Sequence, residues 1–76
     1  MTTPYSTKVH CRIDELLTER DMTLTELSKR VGVTFANLSV LKNNRARAIR
    51  FTTLAALCEA LECTIGELFV YEVDEQ

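Results

Sequence analysis

Between Thr23 and Asn44 two helix-length segments of apolar periodicity follow each other with almost nothing between them. Each is opened by a threonine, Thr23 or Thr34, and only Gly32-Val33 separates the end of the first from the cap of the second. Leu24, Leu27 and Val31 form the apolar stripe of the first segment, and Leu38 and Leu41 a narrow stripe on the second. The spacing predicts a capping box, with Thr23 accepting the N–H of Glu26 while Glu26 reaches back to the N–H of Thr23. Gly32 can take the left-handed conformation without steric cost, so the first helix is about two turns long. Thr34 is a good N-cap for the second, and Asn43-Asn44 closes it because asparagine tolerates positive φ. Two short helices joined by so tight a turn must cross steeply, packing through Leu27, Val33, Leu38 and Leu41. The opposite face of the second helix then points outward.

The flanking sequence supplies the remaining core. A first helix is expected from about Thr7 to Arg20, with Val9, Ile13, Leu16 and Leu17 on one face and a break at Asp21-Met22. A fourth runs from Phe51 to Leu61 with Phe51, Leu54, Ala55, Leu57, Cys58 and Leu61 inward. A short fifth helix opens with a second capping box, Thr64 with Glu67, and buries Ile65, Leu68 and Phe69. Val70–Val73 alternates loosely and reads as an extended segment. The expected fold class is all-α: five helices in one domain spanning residues 1–76, with a flexible arm over residues 1–6 and a tail over 70–76.

A chain of 76 residues leaves little room for a deep substrate cleft, which favours a binding module over an enzyme. It carries one histidine, no nucleophile elbow, no phosphate-cradling glycine loop and no paired metal-ligand spacing, so no catalytic site, metal or cofactor is expected. The three cysteines lack disulfide-framework spacing. Cys58 reads as a small core residue, Cys11 lies on the expected first helix and Cys63 precedes a cap. No apolar run approaches the roughly 18 residues of a membrane span, and the N-terminus does not resemble a signal peptide, so a cytoplasmic protein is expected.

Net charge is −2, but it is sharply segregated. Residues 27–58 hold Lys29, Arg30, Lys42, Arg45, Arg47 and Arg50 and no acid, whereas residues 59–76 hold six acids and no base. A local basic patch, not the total charge, decides where a polyanion docks. With Leu38 set at 0° and about 100° per residue, Ala36, Ser39, Val40 and Asn43 cluster on the opposite face of the second helix, and none is charged. A small uncharged surface suits close approach to base edges. Alanine and valine can lie against thymine methyls, and Asn37 or Asn43 can hydrogen-bond bases or phosphates. Lys42, Arg45, Arg47 and Arg50 are candidate phosphate neutralisers, and the helix N-termini at Thr23 and Thr34 offer backbone N–H groups.

Residues 12–69 resemble the Cro/repressor-type helix-turn-helix family, often called the Xre family, with its five-helix lambda-repressor-like fold. The resemblance rests on T-L-T-E-L-S-K-R-V-G-V-T-F-A-N-L-S-V-L-K-N-N, from Thr23 to Asn44, followed by R-F-T-T-L-A-A-L-C-E-A-L-E-C-T-I-G-E-L, from Arg50 to Leu68. It implies a sequence-specific transcriptional regulator whose helix-turn-helix is formed by helices 2 and 3, with residues 34–43 entering the major groove of double-stranded DNA. Base-reading positions then fall on Phe35, Ala36 and Val40. The base-facing set is Thr34, Phe35, Ala36, Asn37, Ser39 and Val40; the phosphate-facing set is Thr23, Lys42, Asn43, Arg45, Arg47 and Arg50. The chain departs from the family pattern at Leu24, where glutamine is common, and at Lys42 and Asn44, where glutamate and glycine are common. Phe35 replaces a usual polar reader, and its 60° offset from Leu38 leaves inward packing open. A homodimer is the expected binding unit, with Phe69, Tyr71 and Val73 as candidate contacts. The alternative is a protein-interaction or antitoxin-like module on the same fold, for which the apolar helix 3 face and acidic C-terminus speak.

Overall fold

The computed structural model describes residues 8–72. The elements run β1 (Val9–Cys11), α1 (Ile13–Glu19), α2 (Leu24–Val31), α3 (Phe35–Lys42), α4 (Phe51–Leu61), α5 (Ile65–Leu68) and β2 (Phe69–Tyr71). The five expected helices are present, and the two strands make the molecule not strictly all-α. Residues 1–6, Thr7 and Val73, to which the sequence assigned an arm, a helix start and a dimer contact, lie outside the described residues.

The first helix starts at Ile13, not Thr7, and Val9–Cys11 is a strand. β1 pairs antiparallel with β2, Val9 opposite Tyr71, His10 opposite Val70 and Cys11 opposite Phe69. The pairing continues beyond the strands: the Arg12 N–H donates to the Leu68 carbonyl at 2.8 Å and the Glu72 N–H to the Lys8 carbonyl at 2.6 Å. Val9 fits the apolar period of α1 by coincidence. A partner about 60 residues away in sequence wins its backbone bonds, and no local period can reveal that. Cys11 is accordingly on β1, and buried.

The helix boundaries follow the capping chemistry. Thr23, Thr34 and Thr64 sit in extended backbone and each accepts the N–H three residues on, at 3.1 Å in all three cases. At Thr64 the box is complete, because Glu67 Oε1 accepts the Thr64 N–H at 2.8 Å. That N–H holds the Glu67 carboxyl below its ordinary range, so the box is intact at neutral pH and is lost as acid protonates the carboxylate. At Thr23 the expected return bond is replaced: Glu26 binds Arg30 Nη2 at 2.8 Å, one turn along α2.

Four helices end on a left-handed residue, and only α2 uses glycine, Gly32 at φ 71°. Asp21, Asn44 and Glu62 do the same after α1, α3 and α4. Each closes its helix with a pair of backbone bonds, such as Arg45 N–H to the Val40 carbonyl at 2.9 Å and Asn44 N–H to the Leu41 carbonyl at 3.0 Å. Arg20 then satisfies the end of α4: its Nε donates to the Leu61 carbonyl and its Nη2 to that of Glu62 at 3.1 Å.

The core takes at least one side chain from every helix. Ile13, Leu27, Leu38, Leu57, Leu61 and Leu68 are fully buried, with Cys11, Leu16, Leu17 and Leu41 around them and Val33 and Leu54 packed alongside. Four expected core positions are corrected, the first being Val9, which is 44% exposed on β1. Phe51 and Ile65 are 85% and 59% exposed, and Ala55 is exposed too. Phe51 and Ile65 open the first turns of α4 and α5, and the inward faces of these helices are already filled by Leu57, Leu61 and Leu68.

The two glycines make opposite predictions. A Cβ at either position meets nothing within 4 Å, so only the backbone decides. Gly32→Ala forces a left-handed alanine and is expected to cost about 1 kcal/mol, lowering Tm by roughly 4–8 °C in a chain this size. Gly66→Ala, inside α5 with an ordinary φ, is expected to stabilise by about 0.5–1 kcal/mol. Thermal unfolding of both variants checks the sign of each.

Candidate nucleic-acid interface

The candidate interface is built from the turn outward. Leu27 of α2 and Leu38 and Leu41 of α3 go into the core, and the Ser28 hydroxyl donates to the Val33 carbonyl, fixing the short turn from the α2 side. With its inner stripe committed, α3 turns Phe35, Ala36, Asn37 and Val40 to the surface. Phe35 is 53% exposed and Val40 40%. The open question over Phe35 is thereby answered: it lies outward, because Leu38 and Leu41 fill the inner face.

The polar groups on α3 mostly serve α3 itself. The Thr34 hydroxyl accepts the Asn37 N–H. Asn43 Nδ2 donates to the Ser39 carbonyl at 2.9 Å and to its hydroxyl at 3.3 Å. Lys42 leans away to Asp14 on α1, Nζ to Oδ2 3.3 Å. That pair is partly exposed and worth no more than about 1 kcal/mol, so a phosphate can replace the carboxylate at little cost. Among the base-facing candidates, Asn37 is left with its side-chain amide outward.

The positive charge lies beside this face. Arg45, Arg47 and Arg50 are exposed on the segment between α3 and α4. An open cleft of about 620 Å³ runs between that segment and α3, lined among others by Thr34, Asn37, Val40, Arg45, Arg47 and Arg50. Six of the twelve sequence-predicted site residues thus share one concavity. Thr23 caps α2 at its exposed N-terminus. Three other arginines pair with nearby glutamates: Arg30 with Glu26 at 2.8 Å, Arg20 with Glu19 at 2.8 Å and Arg12 with Glu15 at 3.8 Å.

Sequence reasoning missed the tether at the end of α3. Asn44 reaches from its left-handed turn to β1, where Oδ1 accepts the Cys11 N–H at 2.7 Å and Nδ2 donates to His10 Nδ1 at 3.2 Å. The start of the arginine segment is thereby fixed to the sheet. The available signal was asparagine where the family commonly has glycine. Also missed was an apolar groove on α4 and α5, lined by Phe51, Leu54, Ala55, Cys58 and Ile65, which shares no residue with the cleft. The cysteines do not bear on the interface. Burial raises the Cys11 thiol and, with Cys58 beside it, pushes Cys63 up to about 11, so both stay protonated and weakly nucleophilic.

The tether makes a graded prediction. Asn44→Gly keeps the left-handed turn and loses both bonds, costing about 1 kcal/mol; Asn44→Ala also strains the turn, costing about 2 kcal/mol. Urea unfolding of the two variants tests the order.

Known proteins resemble this chain in sequence and in fold. The model of the Cro/C1-type HTH DNA-binding domain family matches residues 12–74. The HTH-type transcriptional regulator YozG of Bacillus subtilis (strain 168) is 57% identical over 63 residues, covering 83% of this chain and 75% of that protein. The crystal structure of the transcriptional regulator VanUg, form II, superposes with a TM-score of 0.73 at 28% identity, over 97% of this chain and 99% of that one.

Proposed function

The chain belongs to the Cro/C1-type helix-turn-helix DNA-binding family, and from that premise we propose that it regulates transcription by laying α3 in the major groove of an operator. The observation that carries this reading is the concavity that α3 shares with the arginine segment, where the uncharged Thr34, Asn37 and Val40 are edged by Arg45, Arg47 and Arg50. An eight-residue helix fits a groove about 12 Å wide, and the arginines then fall against the phosphates that border it. The N-termini of α2 and α3, capped by Thr23 and Thr34, add backbone N–H groups and the positive end of two helix dipoles. Lys42 and Asn43 complete the phosphate-facing set. The acidic residues of the C-terminal third keep DNA off the rest of the surface by repulsion.

We further infer a two-fold homodimer acting in the cytoplasm, because one short helix reads too few base pairs to be selective. Of the candidate contacts named from the sequence, Tyr71 is exposed on β2, whereas Phe69 is half-buried against the core. Light scattering at working concentration distinguishes a dimer, as expected, from a monomer, which removes this part of the proposal.

The test of DNA binding is its salt dependence. Affinity for duplex DNA is expected to fall steeply between low and physiological salt, with a log–log slope of several units. Arg45→Glu with Arg47→Glu is expected to weaken binding by about tenfold or more and to flatten the slope by about one unit for each contact removed. Binding that is indifferent to salt and to both changes would point instead to a protein ligand.

A further inference from the structure

We propose that α3 reads thymine methyl groups, so that its operator half-site is rich in A·T pairs and Phe35, Ala36 and Val40 determine specificity. This rests on the placement of α3 in the major groove proposed above.

In the major groove each base pair is told apart by hydrogen-bond donors and acceptors and by one apolar mark, the C5-methyl of thymine. A side chain without donors or acceptors can make a favourable contact only with that mark. Guanine is ordinarily selected by an arginine or lysine fork on its O6 and N7. The outer surface of α3 holds no such fork. Its one cation, Lys42, is directed to Asp14, and Asn43 has its amide nitrogen folded onto Ser39. Thr34 is occupied as the cap. What faces outward is the Phe35 ring, the Ala36 methyl and the Val40 isopropyl group, with the Asn37 amide beside them.

The apolar groups are also placed to act together. Ala36 and Val40 lie one turn apart on the same strip of the helix, and Phe35 flanks them in the first turn. Each is costly to leave in water and is covered when a methyl-bearing base edge meets it. A cytosine at the same step presents an amino group to these side chains and leaves it without a partner, which penalises the wrong pair. Asn37 complements the set, because a side-chain amide pairs bidentately with adenine N6 and N7. The hydrogen-bonding reader and the apolar readers therefore select the same kind of base pair.

The experiment starts with selection of bound duplexes from a random pool by the full chain. A motif rich in A·T pairs is expected. In the best-binding duplex each thymine is then replaced singly by uracil, which removes the methyl and leaves Watson–Crick pairing intact. At contacted positions affinity is expected to fall about fourfold, the weight of one methyl-sized group. Val40→Ala is expected to lose a similar factor on thymine DNA and clearly less on DNA carrying uracil at the contacted step. Phe35→Ala should show the same coupling at a different thymine. A selected motif dominated by G·C pairs overturns the proposal. So does a selected motif in which no thymine-to-uracil change alters affinity, or in which protein and DNA changes simply add. Enrichment of no motif overturns sequence-specific DNA binding itself and this inference with it.

Discussion

The outward face of α3 exists because its inward face is spent. Leu38 and Leu41 are buried in a core that every helix contributes to, which leaves the other apolar groups of α3, on Phe35, Ala36 and Val40, outward. Gly32 makes this possible from the other side: its left-handed turn ends α2 soon enough for α3 to start at a new angle. Leu27, buried at 0% exposure, holds the far end of the pair. Loosening any of the three would let α3 rotate, and a rotation of one residue step would replace Val40 by Leu41 at the surface. The surface presented to DNA is a consequence of packing before it is a matter of surface chemistry.

Electrostatics then decides which way the molecule faces a polyanion. The chain is mildly acidic as a whole, yet three of its bases outside the interface, Arg12, Arg20 and Arg30, are each paired with a nearby glutamate. The arginines between α3 and α4 are exposed and have no acidic residue among them in sequence. Asn44 links that segment to the sheet formed by the two ends of the described chain. Charge that would otherwise ride on a loose loop starts from a fixed point beside the reading face, which reduces the ordering cost of binding.

The helices, and which side chains of α3 face outward, were largely legible in the sequence because both depend on local chemistry. Threonine caps, Gly32 and the Asn43-Asn44 stop fixed the limits of α2 and α3 to within a residue, and the helical wheel of α3 separated Leu38 and Leu41 from Ala36 and Val40. Features that depend on distant partners were not legible. Val9 matched the period of α1 and became a strand because Tyr71 lies opposite it. Phe51 and Ile65 matched inward positions and are exposed because Leu57, Leu61 and Leu68 fill the space first. One miss was local: Glu26 had the spacing of a capping box, but Arg30 four residues along the same helix competes for its carboxylate. Asn44 looked like a simple stop signal, and its side chain proved to be a bond to β1.

The central claim is that α3 and the arginine segment, not some other surface, meet DNA. Backbone amide shifts of the 15N-labelled chain, followed while duplex DNA is titrated in at low salt, test it residue by residue. The largest changes are predicted over residues 34–43 and 45–50, with α4 beyond its first turn and α5 little affected. Changes concentrated on Phe51, Ala55 and Ile65, with α3 unmoved, would contradict the account.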